Sequence, residues 1–245
     1  MKTRRELLAA MSVAGAGALL IGCRTSPNQA GSITNDEPRD VSGPAEVTAN
    51  EDLMREHGVL RRALIVYRET AARLKQDPAS VSPEALEKTA LLFRVFGEDY
   101  HEKKLEEVHI LPVVKKFRGP AAGYVDVLLA QHARGREITD YILSVTKADR
   151  IPSNAVGPLV SAMESFARMY EYHAAIEDTV VFPSWKASLG EAELDELGAK
   201  FEDIEAEHFG GDDGFESAVS RMLEIETSLG LGSLETFTAP APAKL

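Results

Sequence analysis

His173-Ala174-Ala175-Ile176-Glu177-Asp178-Thr179-Val180-Val181-Phe182-Pro183 is the stretch on which the fold turns. On a helix, a spacing of four residues is ~40° of rotation and ~6 Å of rise. His173 and Glu177 therefore face the same way, one imidazole above one carboxylate. The helix that carries them starts after Ile151-Pro152-Ser153 and ends near Ser188-Leu189-Gly190. Upstream lie three more stretches of helical periodicity. The first opens near Asn50, read as its cap, with Glu51 and Asp52 complementing the dipole. It repeats Leu53, Leu60, Leu64 and Tyr67 and closes at Gln76-Asp77-Pro78. The second opens on Ser82-Pro83-Glu84, carries Leu86, Ala90, Phe93 and Gly97, and breaks at Gly119-Pro120. The third runs from about Ala121 to Thr146. No strand-like alternation and no solenoid period interrupts them. Long helices on short connections favour antiparallel neighbours, so the expected fold is all-α: an up-down-up-down four-helix bundle over 50–190. A C-terminal helical extension over 191–237 adds shorter helices at about 191–208 and 213–229, and a disordered tail over 238–245 follows.

The histidines are placed as a set. His57, His101, His132 and His173 fall one on each long helix. The first and third lie early in their helices, the second and fourth a few turns before the ends of theirs. In an up-down-up-down bundle those positions share one end, within about 10–20 Å of it at ~1.5 Å per residue. One interior site therefore collects all four. Imidazoles with carboxylates suit iron, and interior sites between bundle helices suit a carboxylate-bridged pair of ions. His109 and His208 have no place in this set and are read as packing or solvent-facing residues. On the second helix the run is His101-Glu102-Lys103-Lys104-Leu105-Glu106-Glu107. His101 and Glu106 are five apart, about 140° of rotation on a regular helix, and do not share a face there.

The ends of the chain read differently. Met1-Lys2-Thr3-Arg4-Arg5, an apolar run from Leu7 to Ile21 and Gly22-Cys23 follow the order of an export signal over 1–23. Thr3-Arg4-Arg5-Glu6-Leu7-Leu8 resembles a twin-arginine motif, a route that carries folded, metal-loaded proteins. Leu20-Ile21-Gly22-Cys23 resembles a lipobox, which assigns the single cysteine, Cys23, to lipidation and anchors the chain to a membrane. The expected location is the periplasmic face of the envelope, and Arg24 leans towards the outer membrane. Residues 24–49, rich in Ser, Pro, Asn, Gly and Asp, read as a flexible tether. With a net charge of -12 over 245 residues, the chain offers no basic surface for nucleic acid.

At these residues the sequence resembles the hemerythrin-like, or HHE cation-binding, family over about residues 50–237. The segment from His173 to Pro183 follows the family's His, Glu and apolar-pair-proline pattern. Asp99-Tyr100-His101-Glu102 with Ile110-Leu111-Pro112 is similar, and Gln131-His132 matches the third-helix histidine. The resemblance implies two non-haem iron ions on His57, His101, Glu106, His132, His173 and Glu177, with the two glutamates bridging. A π-bulge that absorbs the extra residue would bring Glu106 onto the face of His101. Without one, Glu102 or Glu107 takes its place. Arg136 stands where animal hemerythrins have a further histidine, which leaves an open position on one ion.

The implied function is binding or sensing of dioxygen, or a related small diatomic, at the envelope. One alternative is a di-iron enzyme that reduces peroxide or nitric oxide. The others are iron storage at a ferritin-like carboxylate site, which would recruit His109 and His208, and a metal-free interaction module.

Overall fold

A computed structural model of the chain describes residues 47–211 and 213–243. The export signal, Cys23 and most of the tether lie outside these residues. The described elements are helical, with no strand among them. Four rods form the bundle. The first is α1, Ala49–Gln76. The second is a continuous helical path: α2 (Pro83–Leu92), a π-helical stretch π1 (Phe93–Ile110) and α3 (Leu111–Phe117). The third is α4, Val125–Thr146, entered through a 3-10 turn at Pro120–Gly123. The fourth is α5 (Ser153–Ile176), π2 (Glu177–Val181) and α6 (Phe182–Ala187).

Side-chain partners fix the directions. Arg61 pairs with Asp178, Arg68 with Glu171 and Lys75 with Glu164. Seven residues forward on the first rod are seven backward on the fourth, so the two are antiparallel. Arg94 with Asp140, and Arg136 with Glu102, show the same reversal between the second and third rods. The rods thus run up, down, up and down.

The start of α1 corrects the expected cap. Thr48, not Asn50, is the cap, and its hydroxyl accepts from the Glu51 N–H while Glu51 accepts from the Thr48 N–H. This reciprocal box satisfies two backbone donors, whereas Asn50 supplies neither bond. The third rod begins at Val125 rather than Ala121, because Pro120 opens a tighter 3-10 turn first. At the end of α3, Arg118 takes a left-handed φ of 55° and stops the helix before Gly119-Pro120.

Below the four-histidine level the core is aromatic. Tyr67, Phe93, Phe166 and Tyr170 pack edge-on or tilted, with centroids 4.6–5.4 Å apart. Two further helices, α7 (Glu191–Phe209) and α8 (Gly214–Ser228), cover the face made by the first two rods. Arg62 forks onto Glu226, Arg73 donates to the Leu229 carbonyl, and Phe209 closes over Tyr100. A 3-10 turn at Leu234–Phe237 precedes residues 238–243, which have no regular structure. Among the described residues no helix is long and apolar enough to cross a membrane.

Candidate metal centre

The second rod is wound wide where the site needs it. Across π1 the backbone bonds to the residue five back, ending with Leu111 N–H on the Glu106 carbonyl. Winding of this kind brings residues five apart onto one face. His101 Nε2 accordingly lies 3.2 Å from Glu106 Oε1. The fourth rod widens too, with Phe182 N–H on the Glu177 carbonyl.

Four imidazoles then converge in two pairs. His57 Nε2 and His101 Nε2 are 3.0 Å apart, and His132 Nε2 and His173 Nε2 are 3.2 Å apart. Two carboxylates lie between the pairs. Glu106 puts one oxygen 3.2 Å from His101 and the other 3.3 Å from His132. Glu177 Oε2 lies 3.0 Å from His173 and 3.5 Å from His57. All six side chains are buried. The potential ligand atoms of Glu106, His132, His173 and Glu177 lie within 4.8 Å of one another, as do those of His57, His101 and Glu106.

The Nδ1 atoms show why every Nε2 points inward. Glu56 of the first rod holds His101 of the second, at 2.7 Å. Glu107 of the second holds His132 of the third, at 3.0 Å. Gln131 of the third holds His173 of the fourth, at 2.9 Å, and Asp178 of the fourth holds His57 of the first, at 2.7 Å. The four contacts form a closed ring around the bundle. Each backing residue is the immediate sequence neighbour of an inward-facing residue on its own rod. Helical rotation of roughly 100° between neighbours turns the inward-facing residue towards the centre and its backing neighbour towards the next rod. A histidine held at one nitrogen by a carboxylate or amide presents the other in a fixed direction, as metal-ligating histidines do.

Glu102, Tyr170, Arg136 and Glu107 form a hydrogen-bonded group beside the six converging side chains. Glu102 accepts from the Tyr170 hydroxyl at 2.7 Å and from Arg136 at 2.9 Å. Arg136 also binds Glu107. Glu102, Glu107 and His132 form another acidic grouping, but a guanidinium already lies within it. Of the three carboxylates considered on the second rod, Glu106 reaches two of the converging imidazoles, while Glu107 backs His132 from outside. Arg136 pairs with Glu102 and with the Glu107 oxygen that backs His132. His109 lies against Phe201 and His208 stacks on Tyr100, both away from the cluster.

The donor set fits a pair of cations. None of the four buried oxygens of Glu106 and Glu177 has an aligned hydrogen-bond partner, which in a protein interior costs free energy unless an ion takes the role. Protonation follows the same logic. Burial favours neutral His101, but Glu106 and Glu56 outweigh it and hold the imidazole well above its usual range. Burial likewise opposes a charged His132, yet Glu102, Glu106 and Glu107 push it up to about 10. Glu177 is driven well above the carboxylate range by burial and by Glu106, and burial with the nearby His132 pushes His173 down to about 4. These directions favour protons on Glu177, His101 and His132, which bound metal ions would displace.

A narrow cavity adjoins the cluster, with room for about one water-sized molecule. Leu60, Leu64, Ala174 and Tyr170 line it together with His57, His101, His173 and both glutamates.

Comparison with known proteins agrees with this geometry. A family model described as the hemerythrin HHE cation-binding domain matches residues 48–185. Two proteins of Mycobacterium tuberculosis strains and one of Mycobacterium bovis, all named only as uncharacterized, are 40% identical over 236 residues, covering 96% of this chain and 90% of theirs. No solved structure matches.

Proposed function

The chain belongs to the hemerythrin HHE cation-binding domain family, and from that membership we propose that it holds two iron ions and takes dioxygen, or a related small diatomic, beside them. His57 and His101 would hold one ion, His132 and His173 the other, and Glu106 and Glu177 would bridge. The observation that carries this is the closed ring of Nδ1 contacts around four convergent Nε2 atoms, with two unsatisfied buried carboxylates between them. Ferrous iron supplies reversible electron donation to a small bound ligand. Six side chains would not fill the coordination positions of two iron ions, and the small cavity that adjoins the cluster has room for one small ligand. The protein's own part is to orient the imidazoles, exclude water with Leu60, Leu64 and Ala174, and keep the site too small for larger ligands. The test is anaerobic loading with ferrous iron followed by air. A visible charge-transfer absorption that appears in air and fades on deoxygenation supports this reading, and its absence rejects it.

Reduction of peroxide or nitric oxide at the same site is the second reading. One observation favours it: the Tyr170 hydroxyl, bonded to Glu102, lies at the cavity as an internal O–H donor. Consumption of either substrate by the iron-loaded protein, above buffer rates, would move the conclusion to this reading.

The reading also includes export and lipid anchoring through Cys23 at the envelope. The basic, apolar and Leu-Ile-Gly-Cys order of residues 1–23 supports it. Metabolic labelling with a radioactive fatty acid should mark the native chain and not Cys23→Ala.

A further inference from the structure

The cavity beside the cluster is lined almost entirely by buried residues. Of its eleven lining residues, ten are buried, and Arg61 is by far the most exposed, with 40% of its side chain open to solvent. The way in therefore passes Arg61, on the seam between α1 and α5. Leu60 and Leu64 line the passage from one side, Tyr170 and Ala174 from the other. Ala174 contributes only a methyl, and that small side chain leaves the space open.

Arg61 is tied down at the mouth. Its guanidinium pairs with Asp178, and the other oxygen of Asp178 meets His57 Nδ1 at 2.7 Å. The same carboxylate thus anchors the residue at the entrance and an imidazole of the cluster. The pair is also the first rung of the ladder along the seam. Arg68–Glu171 and Lys75–Glu164 follow at seven-residue steps, below the cavity. Those lower rungs brace the two helices whether or not the first is closed. Asp178 is held on the inner side by His57 with only 9% of its side chain exposed, so the pair opens from the Arg61 side, where a long, partly exposed arginine changes rotamer in nanoseconds.

We infer that Arg61 is the latch of a ligand channel into the centre. Paired with Asp178 it covers the mouth; swung into solvent it opens a passage between Leu64 and Ala174. The passage is apolar and as narrow as one water molecule, so it admits small uncharged molecules such as diatomics and rejects larger or charged ones. The latch rests on the reading that a small ligand binds beside the cluster. It adds the route, and it names the residues that set rate and size.

The test uses the full chain, loaded anaerobically with ferrous iron and mixed with nitric oxide in a stopped-flow instrument. Iron content is measured on every sample. Arg61→Ala removes the latch. Arg61→Gln clears the mouth but can still hydrogen-bond Asp178. Both should bind and release nitric oxide faster, on the order of tenfold, with affinity nearly unchanged, because only the barrier falls. Ala174→Leu fills the passage and should abolish uptake while iron is retained. Native rates in both Arg61 variants would overturn the latch, as would loss of iron from both, which would make Arg61 a support for the site instead. Native protein that retains iron and takes up no nitric oxide would overturn the reading of ligand binding itself, and the latch with it.

Discussion

His101 Nε2 and Glu106 Oε1 are 3.2 Å apart although the two residues are five apart in sequence. An α-helix cannot make that contact, because five residues turn it about 140°. The π-winding of Phe93–Ile110 makes it, and so chooses Glu106 over Glu102 and Glu107 as the carboxylate facing two imidazoles. Glu106→Ala should therefore reduce bound iron from two per chain to one or none. Glu107→Ala should retain both ions with weaker affinity. Metal analysis of the two variants after identical loading checks the distinction.

The ring of Nδ1 contacts makes a second prediction. Asp178, Glu56, Glu107 and Gln131 touch no proposed ion, yet each fixes an imidazole on the next rod. Removing any one, as in Asp178→Ala, should weaken iron binding by about 10–100-fold without unfolding the chain. Competition with a chelator of known affinity measures this. Equal affinity in all four variants would show that the ring is ornamental to the site.

Gly135 is a third test. A β-carbon added there would meet the Tyr170 hydroxyl at 2.0 Å. Tyr170 is buried, lines the cavity and bonds Glu102, so it has nowhere to retreat without breaking that bond. Gly135→Ala should cost about 1–3 kcal/mol by overpacking and also perturb the cavity. Thermal unfolding gives the first effect, and ligand binding by the iron-loaded variant gives the second.

Glu98 carries a pH dependence. It is fully buried on the second rod, accepts from Thr139 and sits near Arg94. Burial, with Glu102 adding to it against Thr139 and Arg94, raises its pKa from 4.5 to about 7. A raised carboxylate pKa contributes stability that is fully present below the unfolded value and lost as pH rises through the folded one. Between pH 4.5 and 7 the native chain should lose up to about 3 kcal/mol through this group. Glu98→Gln should remove that slope. Denaturant unfolding of both proteins at pH 5 and pH 8 reads the difference, and parallel pH profiles would refute it.

Much of this is legible in the amino-acid sequence. Periodic apolar residues and the breaks at Asp77-Pro78, Gly119-Pro120 and Ile151-Pro152 give the four rods. The heights of His57, His101, His132 and His173 give the level at which they meet. The five-residue gap between His101 and Glu106 requires a wide winding for a shared face, and the rod has one. The winding extends over eighteen residues rather than a single bulge, which no local residue pattern signals. Thr48-Ala49-Asn50-Glu51 held the capping-box signature that Asn50 obscured. The backing ring was harder to see. Its members adjoin inward-facing residues in sequence, but each serves a histidine on another rod, and that pairing depends on how the rods pack. Arg61 at the cavity mouth is hidden for the same reason: its exposure and its partner Asp178, 117 residues away, belong to the seam.

The most direct test of the centre is a metal count with site variants. Full-length protein, loaded anaerobically with ferrous iron and freed of excess, is analysed for iron per chain beside His57→Ala, His132→Ala and Glu177→Ala. The native chain should hold two irons, and every variant should lose at least one. A native chain that binds none, or one whose iron survives all three substitutions, would contradict the proposed centre.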